Sequence, residues 1–127
     1  MTAPLLTRFL TPAGDPLTHF AQVLVAAQRV AGEEPTSDPE EMADWSLDRV
    51  AVLLAADSVL GPESVRARIS EALRLEMSRV PIDGQTLARD LATDPAVLRA
   101  KIEGDRPLSL GEYARIRTVL ADHRERS

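Results

Sequence analysis

The chain is 127 residues long, 44% hydrophobic, 28% charged and 3% aromatic, with a formal net charge of −5 at pH 7. That length suits one compact domain, or a small domain with a helical extension. With no cysteine, disulfide frameworks, thiolate metal sites and cysteine nucleophiles are excluded. The longest apolar run, Val50 to Ala56, falls far short of the ~18 residues of a membrane span.

Residues 1–14, with Pro4, Pro12 and Gly14, are expected to be loosely ordered. Three Asp-Pro pairs then stand where helices should start: Asp15-Pro16, Asp38-Pro39 and Asp94-Pro95. Aspartate at the N-cap accepts a free backbone N–H, and proline fits the first helical position. After the first pair, Leu17, Phe20, Leu24, Ala27 and Ala31 recur at helical spacing, and Gly32 is a natural stop. Glu33 to Ser37 reads as a polar linker. The second pair opens a helix expected to run to Gly61, with Met42, Trp45, Leu53, Ala56 and Leu60 on one side. Its stretch from Val50 to Ala56 is apolar nearly all round, which implies burial on more than one face. Gly61-Pro62 starts a third helix, carrying Val65, Ile69, Ala72, Leu73, Met77 and Val80, and Pro81 breaks it. Asp83 opens a short helix through about Leu91. Asp94 opens another through Glu103, with Gly104 beyond it. Ser109 and Glu112 have capping-box spacing for a last helix through Leu120. No period-two alternation occurs, so an all-α fold is expected. The expected divisions are a helical pair at 15–61 for dimerisation or partner contact, a helical domain at 62–121, and a frayed tail at 122–127.

Charge divides unevenly between the halves. Residues 1–60 carry net −6 and residues 61–127 carry net +1. The second half is rich in arginine, which forks onto phosphates or guanine edges where lysine acts as a point charge. Lys101 is the sole lysine.

From Leu87 to Leu98 the sequence reads as two short helices joined by a tight turn, a helix-turn-helix whose second helix is a candidate for the DNA major groove. These residues resemble the lambda-repressor/Cro type of helix-turn-helix domain from about Val65 to Leu120. Leu87-Ala88, Leu91 and Leu98 match its core positions. Asp94 matches the cap before the recognition helix, Gly104 the glycine after it, and Arg106 to Leu110 the loop into the fourth helix. The chain departs from that pattern at three places. Ala92 replaces the turn glycine, Gly84 stands where a glutamine is usual, and Lys101-Ile102 replaces an apolar residue followed by an acid. The resemblance implies a duplex-DNA-binding transcriptional regulator; because a monomer would make few contacts, a dimer is expected, with the N-terminal helices as the expected dimer contact.

On the outer face of the second short helix, Arg99 is the one side chain with long donors, worth roughly 1–3 kcal/mol of discrimination on a guanine. Ala96 and Val97 are placed to touch thymine methyls, with Ala100 on the same face. Gln85, Thr86 and Arg106 are placed for phosphates. The rival expectation is a protein-interaction module that keeps the same helices as scaffold, motivated by this thin face and low basicity. The two differ in one structural respect. DNA docking needs Arg99, Arg106 and Arg89 on a face free of the N-terminal acids.

Chemistry finds little foothold. His19 and His123 lie 104 positions apart, and no phosphate loop or nucleophile elbow occurs. His19 is expected at the surface or half-buried, and His123 solvated. Trp45 is read as core or a subunit contact. Asp57, inside an apolar stretch, is expected to pair with an arginine or to mark where its helix meets water. The chain is therefore expected to be non-catalytic, without cofactor or metal. The absence of a signal-peptide layout after Thr2-Ala3-Pro4 leads to a cytoplasmic expectation.

Overall fold

A computed structural model describes residues 4–126. These residues are helical throughout, with no strand among them; one isolated antiparallel bridge pairs Ser46 with Ser109. In chain order the helices are α1 (Leu5–Leu10), α2 (Pro16–Val30), α3 (Pro39–Ala43), α4 (Leu47–Leu54), α5 (Pro62–Ser78), α6 (Gly84–Asp90), α7 (Pro95–Glu103) and α8 (Leu110–Arg126). A single 3-10 turn, Ala55–Asp57, follows α4.

Each Asp-Pro pair starts a helix as the capping argument requires. Asp15 accepts from the Thr18 N–H at 3.0 Å, Asp38 from Glu40 at 3.0 Å and Asp94 from Ala96 at 2.8 Å. The capping box at α8 is reciprocal. The Ser109 hydroxyl accepts from the Glu112 N–H at 3.1 Å, and the Glu112 carboxylate accepts from the Ser109 N–H at 3.2 Å.

Three expected boundaries move. Residues 5–10 form α1 and bury Leu5, Leu6 and Phe9, although the segment lies inside the stretch expected to be loose. Phe9 stacks on Phe20 of α2 with ring centroids 4.4 Å apart, and both rings sit against Tyr113 of α8. That burial outweighs the weak propensity of so short a helix. The free N–H of Leu5 donates to the Asp57 carboxylate at 3.2 Å; Asp57 is exposed at the end of the 3-10 turn, where its helix meets water, rather than paired with an arginine.

The single helix expected from Pro39 to Gly61 is divided. Ser46 caps α4 by accepting from the Arg49 N–H, and its extended backbone crosses beside residues 108–110. There the Leu47 N–H donates to the Leu108 carbonyl at 2.9 Å and the Leu110 N–H to the Trp45 carbonyl at 2.8 Å. Two long-range backbone bonds replace the helical ones that continuity would give. Trp45 is half-buried, with the Arg49 guanidinium 4.0 Å above its ring.

At the other end, α8 continues to Arg126 beyond the expected stop at Leu120. His123 is held rather than solvated, its Nε2 lying 2.7 Å from the Asp90 carboxylate of α6. Arg124 reaches Glu76 of α5 at 3.2 Å.

One cluster of buried side chains runs from Leu5 to Leu120 and spans both halves. The polar linker after α2 is pinned to it by Gln28, whose amide donates to Thr36 O and accepts from Thr36 N. At Gly111, α8 approaches α3 so closely that an added Cβ would lie 3.0 Å from the Ala43 Cβ and 3.2 Å from its carbonyl oxygen. Gly111→Ala should therefore destabilise by about 1–2 kcal/mol in denaturant melts, whereas helix propensity alone predicts a gain.

Candidate interaction face

The face is built by α6, α7 and the C-terminal end of α5. Asp83 caps α6 by accepting from the Thr86 N–H at 2.7 Å. That N–H, then the Thr86 hydroxyl, hold the Asp83 carboxyl below its usual range. α6 buries Leu87 and Ala88, and Leu91 follows them into the core.

α6 ends in a Schellman arrangement: the Thr93 N–H donates to Ala88 O at 2.9 Å and the Ala92 N–H to Arg89 O at 3.0 Å. The same pair of bonds ends α2 at Gly32 and α7 at Gly104, where φ is +79° and +90°. At α6 the left-handed position falls to Ala92, φ +54°, the one described non-glycine residue with positive φ. An L side chain pays steric strain there, on the order of 1–2 kcal/mol.

α7 buries Leu98 and Ile102 and turns Ala96, Arg99 and Glu103 outward. The Arg99 side chain is 80% exposed, and Glu103 spans it one turn later at 3.9 Å. On the other side of α7, Lys101 is ion-paired with Glu112, which fixes α7 against α8. Burial would raise the Glu112 carboxyl. The Lys101 ammonium and the Ser109 N–H and hydroxyl outweigh it, and the net shift is downward.

The expected contact residues divide between two concave regions. Gln85, Ala96, Arg99 and Ala100 line a groove with Met77 of α5, rimmed by Asp83, Glu103 and Asp105. Thr86 and Val97 are half-buried beside it, and the Thr86 N–H is already occupied by Asp83. Arg106 is exposed in a separate cleft, among Asp48, Glu63 and Arg66. Asp105 borders both. Arg66 is held there by Asp48 at 3.4 Å and by the Ser70 hydroxyl. Thus an acid of the first half, Asp48, lines the same cleft as one of the expected phosphate contacts. The sequence reading missed Met77, Asp83 and Asp105 as members of the face. Met77 looked like core because it lies on the apolar stripe of α5, and the acids looked like caps and loop charges.

Within the described residues no group of three or more His, Asp or Glu side chains is arranged to hold a metal ion, and no helix is long and apolar enough to cross a membrane. The geometry defines an all-helical protein with an exposed, charge-mixed face built from three helices. The chain belongs to a family of unknown function, DUF5791, which it matches over residues 24–123. That match starts within α2 and takes in the whole face. The chain matches no curated protein and no solved structure at a significant level.

Two outcomes follow. Ala92→Gly should raise stability by up to about 1 kcal/mol, read as a rise of a few degrees in Tm, because relief of strain exceeds the added chain entropy. For Glu112, the folded-state carboxyl is depressed, so its contribution is present above the usual carboxylate range and lost as pH falls through the folded value. Glu112→Gln should accordingly be less stable than the parent at neutral pH, with the gap narrowing as pH falls through the folded-state titration of Glu112 in paired denaturant melts.

Proposed function

We propose that the chain is a helical protein-interaction module that presents the α5–α6–α7 face to a partner, with α6 and α7 serving as a helix-turn-helix scaffold. One observation carries this reading: the charge on and around the face. Asp83, Glu103 and Asp105 line the same groove as Arg99, with Glu103 within ion-pair distance of it, and Asp48 and Glu63 line the same cleft as Arg106. A duplex brought to this surface would set its phosphates against carboxylates, and few counterions would be released in return. A protein partner needs no such excess of positive charge.

A second reading, a duplex-DNA-binding regulator of lambda-repressor type, draws support from the capped α6–turn–α7 unit and from the exposure of Arg99. In that reading Arg99 forks onto a guanine, Ala96 and Val97 meet thymine methyls, Gln85 and Arg106 hold phosphates, and the N-terminal helices pair two copies across half-sites about 10 bp apart.

A gel-shift titration against random-sequence duplex separates them. The interaction module should leave the duplex unshifted even at ~50 mM salt. Retardation that falls steeply with salt and is weakened by Arg99→Ala would transfer the case to DNA binding.

A further inference from the structure

We infer that the groove between α5, α6 and α7 seats a basic amphipathic helical segment of a partner protein; this rests on the interaction-module reading above. The groove encloses about 850 Å³, room for several side chains, and its floor is apolar. Met77, Pro95, Ala96 and Ala100 supply its accessible apolar surface over the buried Leu87, Leu98 and Ile102, and Ala96 and Ala100, four residues apart on α7, leave the outer surface of that helix low. Small side chains at such a spacing let a second helix approach closely, and a methionine adapts to the apolar anchors it brings.

The rim selects charge. Asp83, Glu103 and Asp105 are exposed, and Arg99 is the sole cation among the lining residues. Asp83 stays ionised because the Thr86 N–H stabilises its charged form. The occupant should therefore carry arginine or lysine flanking its apolar stripe.

Backbone chemistry selects the conformation. The walls are helices and carry no strand edge, so an extended peptide finds no sheet to join. A helix satisfies its own backbone and brings anchors at i, i+3 or i+4 and i+7. The groove runs beside α7, whose nine residues extend about 13 Å, enough for two to three turns of the guest.

The test titrates the full chain into three fluorescein-labelled synthetic helical peptides of about 18 residues: one with a leucine stripe and lysine flanks, one with the same stripe and glutamate flanks, and one with lysine flanks and serine in place of leucine. Only the first should bind. Ala96→Trp, which fills the groove from an exposed position, and the triple variant Asp83→Asn, Glu103→Gln, Asp105→Asn should each weaken binding about tenfold or more. Asp83→Asn keeps a capping side chain, and circular dichroism melts confirm that the variants are folded.

Equal binding of the acidic and basic peptides, survival of binding in Ala96→Trp, or no binding of any peptide would overturn the inference. A concentration-dependent dimer abolished by Ala96→Trp would assign the groove to a second copy and overturn it too. If the duplex stays unshifted in the gel assay while the basic peptide fails, the docking inference falls and the interaction-module reading stands. Salt-dependent duplex binding removes both.

Discussion

The stack of Phe9, Phe20 and Tyr113 is the contact on which the architecture turns. The chain has four aromatic residues in all, and three of them meet here, with ring centroids 4.4 to 5.8 Å apart. Their burial contributes about 4–6 kcal/mol each as an upper figure. The stack joins α1 and α2 to the first turn of α8, so the last helix is held by the first two. The Tyr113 hydroxyl is enclosed with it, short of hydrogen-bond geometry to any partner. Burial raises its pKa, against the pull of the Arg117 guanidinium.

Once α8 is fixed, it positions the candidate face from behind. Glu112 takes Lys101 of α7, His123 takes Asp90 of α6, and Arg124 takes Glu76 of α5. Each of the three helices lining the groove is thus tied to the same rod. Such pairs contribute little stability singly when exposed, but they restrict how the three helices can move relative to one another. Among the described residues, the outer side of α7 has no side-chain partner apart from Glu103 on Arg99. A face held from the rear and open at the front is suited to recognition by complementary shape and charge.

Local signals were legible wherever a side chain acts on its own backbone. Asp15, Asp38, Asp83, Asp94 and the pair Ser109 and Glu112 all cap as their spacing implies, since capping reaches no further than three residues. The turn after α6 was legible in position and incomplete in chemistry: its left-handed residue is alanine, tolerated because the flanking helices are anchored by Leu87, Leu91 and Leu98. The burial of Phe9 and the helix break at Trp45 were not legible. Phe9 lies among prolines and a glycine that suggest disorder, and Trp45 lies inside a continuous apolar pattern. Both are placed by residues far along the chain, Tyr113 and Leu110.

The same distinction governs the face. By itself the sequence determined an all-helical chain, the ends of most helices, and which side of α7 points outward, because periodicity and capping are short-range. Tertiary structure decided which charges stand together. It paired Asp48 from the acidic half with Arg66 in the cleft that Arg106 lines, and it placed Asp83 and Asp105 in the lining of one groove with Arg99. Electrostatic character depends on through-space neighbours, and a net charge per segment carries no record of which carboxylate will face which guanidinium.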